Sequence, residues 1–495
     1  MSNFSLLDGS IVGLYLLATM IAGISVRKYI GKVEHFLVAG REMDLYLGIA
    51  SLAATEFGIV TCMYTAQNGY EFGLAGVTPG IITAIAMFVV GATGFCVKPL
   101  RDAGVMTLPE LFEKRFGQRV RWAAGVVIVL GGLLNMGVFL RTGGEFLILV
   151  TGFDVRYLEV TMTALLLAVA VYTILGGMLS VLITDFLQFI VMSIGLILVT
   201  LLILSHVGWS NLVGAVTQHY GEGGFNPFVH PKMGWSYVVF NVCLNLAAVL
   251  TWQTTIARLL AAKDTKTGLR VYKATSFFFV CRFLIPGIWG IGALATLAPE
   301  VIGGNTLHAM PIFLATILPV GLMGILVAAM LAADMSTDSS YMIAWAGVIY
   351  NDIVAPFRKL KFSEAKGIFW NRTIVALIGI FLLFYGLWYP LKGDLWTYLG
   401  VTGTIYLASM SVLLIACCYW KRANNWGAAA AIAVGSMIPL TFLLIQQIPD
   451  TKSIAEGIGP YYSGIGTYLL TACAMIIGSL MKPATAVVVH GGFKS

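Results

Sequence analysis

The sequence predicts an all-α integral membrane protein of about thirteen transmembrane helices. Ten of these are expected to form two inverted five-helix repeats, with discontinuous core helices 1 and 6. Three observations carry that expectation. Only 11% of the 495 residues are charged, against about 25% in soluble domains. Apolar runs of about 20 residues, the length that crosses a hydrocarbon core, recur throughout. Two of those runs, five apart in order, are interrupted by polar residues near mid-depth. Irregular backbone inside a membrane is tolerated only where it lines a cavity or is buried in protein, and paired interruptions in two halves point to an inverted repeat.

The whole chain, 1–495, reads as one transmembrane domain. A leading span is expected at about 8–26. The start, "MSNFSLLDGS", has no basic segment before it and is not read as a cleaved signal. The first repeat, 44–205, holds spans near 44–70, 76–98, 122–151, 157–175 and 180–205. Its first span contains "ASLAATEFGIVTCMYTAQNGY", with Thr55, Glu56 and Gly58 together at the interruption. The third carries Arg141 and Glu145, four apart, a spacing that lets them pair on one helix face. The second repeat, 236–419, holds spans near 236–260, 274–298, 319–350, 370–389 and 395–419. Its first span contains "NLAAVLTWQTTIARLL", the matching interruption. Two accessory spans, 426–446 and 463–481, and a tail, 482–495, follow.

Charge sets the orientation. All but six of the 30 Lys and Arg fall on one alternate set of loops. Arg156, Lys232, Lys392 and Lys452 lie on the other side, and Arg141 and Arg282 lie inside spans. The positive-inside rule puts the basic loops and the C-terminus in the cytoplasm and the N-terminus outside, as expected for a multi-pass protein of the plasma (inner) membrane, in contact with lipid. The net charge of +7 is then a topology signal and not a nucleic-acid footprint. The seven cysteines and six histidines show no metal-ligand spacing, and no Ser-His-Asp, di-aspartyl or His-Glu-x-x-His arrangement marks an enzyme.

The stretch "LAADMSTDSSYM" (331–342) is the most unusual in the chain. On a helix Ala333, Ser336, Thr337 and Ser340 share one face, and Ser339 flanks it. Neutral hydroxyls with backbone carbonyls suit a weakly held hard cation such as Na⁺. Small hydroxyl residues also mediate plain helix packing, and spacing alone leaves both readings open. Asp334 and Asp338 lie about 100–140° around the helix from Ala333. Two carboxylates that close in low dielectric do not both ionise freely. A proton, a cation or an arginine is expected there, or a structural partner on a neighbouring helix.

"GGMLSVLITDFLQFIVM" (176–192) and "AADMSTDSS" (332–340) resemble signatures of the sodium:solute symporter family. "FLVAGREMDLYLGIASLAAT" and "QTTIARLLAAKD" are similar to its first and sixth core helices, and the likeness covers nearly the whole chain. The resemblance implies a broken-helix secondary transporter with no cofactor and Na⁺ as coupling ion. Its sodium site would use the backbone carbonyls of Ala54, Phe57 and Ala333 and the hydroxyls of Ser336 and Thr337. A second sodium, held by some members, would fall on Asp185, Ser339 and Ser340.

The resemblance also places the solute beside the breaks, among Glu56, Gln67, Asn135, Asn245, Trp252, Gln253 and Arg282. Glu56 stands where proline carriers have aspartate and sugar carriers asparagine. Arg282, in "CRFLIP", stands where sugar carriers have lysine. A sugar-gating aromatic falls on Ala248. The loops look most like choline- and proline-type members, yet only Trp252 matches the choline cage. The preferred solute is a small amino acid or carboxylate. The alternatives are a proton-coupled carrier using Glu56, Asp334 and Asp338, and a membrane sensor, which the short C-terminal tail speaks against.

Overall fold

A computed structural model of the chain describes residues 4–357, 362–388 and 395–482. Nearly all of the expected tail lies outside the described residues. All regular structure among them is helical. The membrane-length helices and half-helices, in chain order, are α1 (Leu6–Ser25), α2 (Leu45–Thr55), α3 (Ile59–Phe72), α4 (Thr78–Thr93), α5 (Gln118–Met136), α6 (Phe139–Thr151) and α7 (Leu158–His206). They continue with α8 (Gly234–Thr251), α9 (Gln253–Ala261), α10 (Thr265–Thr296), α11 (Ala309–Ile317), α12 (Leu322–Val348), α13 (Glu364–Trp388), α14 (Leu395–Tyr419), α15 (Asn425–Gln447) and α16 (Pro460–Met481).

Eleven helical runs among the described residues are long and apolar enough to cross a membrane, fewer than the thirteen spans expected. The difference lies in two of them. Val155–His206 has 52 residues and Ile59–Thr93 has 35. At about 1.5 Å per residue the first is about 78 Å long, more than twice a hydrocarbon core. It is interrupted at Gly177, whose φ of 52° and ψ of −150° are non-helical. A Cβ there would lie 2.7 Å from the Phe36 carbonyl oxygen, so the Gly-Gly pair at 176–177 is where that run can turn.

The two mid-depth breaks are present where the polar interruptions stood. The α2 helix ends at Thr55, Glu56 and Phe57 leave the helix, and Gly58 is extended before α3 begins. Between α8 and α9 one residue, Trp252, is extended at φ −64° and ψ 122°. Helix α12 is almost wholly enclosed, as is α14, whereas α1 and α16 turn mostly outward. Large apolar side chains such as Ile85, Phe88, Ile194, Ile197 and Leu201 stay exposed on α4 and α7, the kind of surface a bilayer covers. Asp8, at the start of α1, accepts the backbone N–H of Gly321 and Gly324 at 2.8 and 2.7 Å. It thereby ties the leading helix to the N-terminus of α12, whose first N–H groups have no partner within the helix.

Candidate functional site

The breaks of α2/α3 and α8/α9 meet at a cavity of about 100 Å³. Five of the seven side chains singled out for the solute line it: Glu56, Asn135, Asn245, Trp252 and Arg282. Two do not. Gln67 donates to Thr306 Oγ1 at 2.9 Å and accepts from the Leu395 N–H at 3.3 Å, which joins α3 to the segment before α11 and to the start of α14. Gln253 is buried and turns back on the Thr251 carbonyl at 3.4 Å. As the first residue of α9 it points away from the cavity that Trp252, one residue earlier, faces.

Glu56 leaves the unwound turn and is held from two sides. Its Oε1 accepts from Thr254 at 2.8 Å and Thr255 at 3.3 Å, both on α9. Its Oε2 lies 3.5 Å from Arg282 Nη1. Arg282 Nη2 donates to Tyr64 Oη at 2.9 Å and Thr61 Oγ1 at 3.3 Å, while its Nε has no partner. Arg141 and Glu145 do not enter this site. They pair with each other at 2.9 Å, and Glu145 also meets His308 at 3.3 Å.

Of the α12 hydroxyls proposed for sodium, Thr337 faces the same break, whereas Ser336 is turned to Asp185 at 2.6 Å. Thr337 Oγ1 donates to the Thr55 carbonyl at 2.9 Å. A Cβ on Gly58 would lie 2.7 Å from that hydroxyl, so glycine is what lets α12 approach the unwound turn. Ser336 and Thr337 are buried, as are Ala54, Phe57 and Ala333. The oxygens are neutral, two from side chains and the rest from backbone. That donor set suits a small hard cation that must leave again.

The second expected sodium position reads differently in the structure. Arg258, counted with the basic loops in the sequence, is a buried residue of α9, 1% exposed. Its Nη2 lies 3.0 Å from Asp185 Oδ2 and also donates to Ser340 Oγ and, at 2.7 Å, to Thr55 Oγ1. Its Nε donates to Ser51 at 3.0 Å. Asp185 further accepts from Ser51 at 2.5 Å and from Ser336 at 2.6 Å. Ser339 donates to the Ser336 carbonyl at 3.2 Å. The positive charge among Asp185 and Ser340 is thus the protein's own guanidinium. The signal was available, because position 258 falls inside the expected span 236–260.

Asp334 and Asp338 are 1% and 2% exposed. Neither is in an ion pair among the described residues, and Asp334 Oδ2 and Asp338 Oδ1 have no hydrogen-bond partner. An arginine between them, one of the explanations the sequence left open, is therefore not what the structure shows.

The sodium:solute symporter family model matches residues 36–435. The chain belongs to that family. Among its relatives, sodium/glucose cotransporter 4 of Danio rerio is 28% identical, over 91% of this chain and 73% of that protein. The osmoregulated proline transporter OpuE of Bacillus subtilis is 24% identical, over 96% of this chain and 95% of that protein. A solved structure of a Na⁺-coupled sialic acid symporter superposes with a TM-score of 0.81 at 18% identity, covering 97% of this chain and 99% of that one. At that identity the likeness is one of fold. Sodium:solute symporters are transporters, not enzymes, and Na⁺ is their coupling ion.

Five further side chains, unmarked by any motif in the sequence, line the symporter's cavity. Phe139, Tyr341 and Trp396 line the cavity, together with Tyr64 and Thr83. Phe139 and Tyr341 are in edge contact with centroids 5.2 Å apart, although 202 positions separate them in the chain. Only the fold brings such pairs together.

Proposed function

We propose that this protein carries a small polar organic solute, an amino acid or a carboxylate, across the plasma (inner) membrane together with Na⁺ by alternating access. One observation supports this most. Thr55, Glu56 and Thr337 line the cavity, and the same unwound turn and the same threonine supply the candidate Na⁺ cage. An ion bound to Ser336, Thr337 and the carbonyls of Ala54, Phe57 and Ala333 fixes the turn from which Glu56 projects. The solute then meets a wall already in place, and the coupling is reciprocal. The test is solute-induced thermal stabilisation of the purified protein in NaCl, KCl and choline chloride at fixed pH. Stabilisation in NaCl alone is expected, and equal stabilisation in all three salts overturns sodium coupling.

The proposed arrangement is two inverted repeats, 44–205 and 236–419, within thirteen spans, with the N-terminus outside and the C-terminus cytoplasmic. The basic loops and the two overlong helical runs support it. The sodium number we propose is one, because Arg258 already neutralises Asp185. A Hill coefficient near two for Na⁺ would restore the second site at Asp185, Ser339 and Ser340. Proton coupling is the second reading. It draws on the unpartnered oxygens of Asp334 and Asp338, and a steep pH dependence in place of sodium dependence would favour it.

A further inference from the structure

We infer that the cytoplasmic ends of α4 and α10 form a groove that binds the headgroup of an anionic phospholipid. The inference goes beyond the transport reading and takes from it only the orientation, which sets the leaflet.

The groove opens because the two helices meet and then part. At Gly91 they are in close contact, since a Cβ there would lie 2.7 Å from the Lys273 backbone nitrogen and 3.1 Å from the Leu269 carbonyl oxygen. Three residues later Gly94, at a φ of 72°, caps α4 and turns the chain away. Between the parted ends lies a groove of about 360 Å³, room for a phosphate and the glycerol beside it.

The charges that line it have one sign. Lys98, Lys266, Arg270 and Lys273 line the groove and no carboxylate does. The neighbouring carboxylates are already committed. Asp102 pairs with Lys98 at 2.8 Å and accepts from Thr265 at 2.5 Å. Asp264 caps α10 by accepting the Thr267 N–H at 2.7 Å. Lys266, Arg270 and Lys273 are exposed, and none is in an ion pair among the described residues. They stand at i, i+4 and i+7, so like charges neighbour one another along one stripe of α10, an arrangement that weakens a helix. A bound anion removes that repulsion.

A soluble phosphate and a phospholipid share this chemistry, and the surroundings favour the lipid. Phe277 lies four residues beyond Lys273 on the same stripe, about 6 Å further along the helix, and is 73% exposed. On α4 the groove residue Ala92 is followed up the same face by Phe88 and Ile85, 51% and 60% exposed. The cations therefore end where the bilayer-facing apolar surface begins, the order in which a phospholipid presents its phosphate and its chains. Basic pockets between spans on the cytoplasmic side take anionic headgroups, with about fivefold in affinity for each Lys or Arg near the surface.

The test titrates the purified full-length protein, in neutral detergent, against phosphatidylglycerol carrying a dye on one chain, read by fluorescence anisotropy. Lys266→Gln with Arg270→Gln and Lys273→Gln should weaken binding about 100-fold, and each change alone about fivefold. Arg119→Gln with Lys421→Gln and Arg422→Gln removes the same charge from exposed positions on the same set of loops, outside the groove. That variant should stay within about threefold of the parent. Equal losses from the two triple variants would reduce the effect to diffuse attraction by basic loops and overturn the site, as would an unchanged affinity in the groove variant. Phosphatidylcholine with the same dye should bind about tenfold more weakly or less tightly still, and equal binding would show that the chains and not the headgroup are held. Displacement of the probe by glycerol phosphate at the lipid's own concentration would assign the groove to a soluble anion and overturn the lipid. No transport step enters the measurement, so its outcome is independent of sodium coupling.

Discussion

The protein holds two buried arginine–carboxylate pairs, and they are built to opposite ends. Asp185–Arg258 closes at 3.0 Å, with side chains 0% and 1% exposed. Its guanidinium donates to Ser51, Thr55 and Ser340, and its carboxylate also accepts from Ser51 and Ser336. Glu56–Arg282 stays at 3.5 Å, with side chains 7% and 15% exposed, and leaves a donor free. The first pair joins α2, α7, α9 and α12 and has nothing left to offer a ligand. The second sits on the cavity with capacity to spare. Full internal satisfaction marks a structural tie, and an incomplete set of partners marks a binding group.

Breaking the closed pair should have the largest effect. Arg258→Ala leaves a buried carboxylate without its counter-charge and should cost about 3–5 kcal/mol of stability, read as a fall in melting temperature in detergent. If Arg258→Ala melts like the parent, the pair is not the tie described. The open pair should fail differently. Arg282→Gln should weaken solute affinity about 10- to 150-fold at saturating Na⁺, the equivalent of about 1.5–3 kcal/mol. Solute affinity within about threefold of the parent would show that Arg282 only braces Glu56.

Next in size is the cation cage between the two pairs. Ser336→Ala with Thr337→Val should raise the Na⁺ requirement about tenfold or more, about 1.4 kcal/mol. A loss of stability with sodium dependence untouched would make these hydroxyls packing groups. The smallest effect is expected at Gln253, which lies off the cavity. Gln253→Ala should leave solute affinity within about twofold, measured in the same titration. A larger loss would move the solute toward α9.

The spans were legible because hydropathy over about 20 residues is a local property. So were both breaks, since Thr55-Glu56-Phe57-Gly58 and Thr251-Trp252-Gln253 interrupt apolar runs, and so was the shared face of Ser336 and Thr337. Arg258 was misread for a physical reason. Positive charge near a span end is ordinarily solvated, which outweighed its place inside the expected span 236–260, and the meeting of four helices encloses it. Gln253 and Trp252 are neighbours in sequence, yet the extended backbone at Trp252 sends them to different surroundings, which composition cannot reveal. The aromatic wall was hidden because its members come from α3, α6, α12 and α14 and share no local pattern.

The single extended residue between α8 and α9 has a mechanical consequence. Trp252 is both the joint and part of the cavity wall, and Arg258 sits six positions beyond it, about 9 Å along the helix. A rotation of about 10° at that joint displaces Arg258 by about 1.6 Å, enough to carry a 3.0 Å contact beyond hydrogen-bonding reach. The indole that a solute would touch is therefore the pivot of a short lever whose far end clasps Asp185. A swing at that joint would reach the Asp185–Arg258 contact. Spin labels on α9 and α12 would register that swing as a distance change on solute addition, and an unchanged distance would mean that α9 does not pivot there.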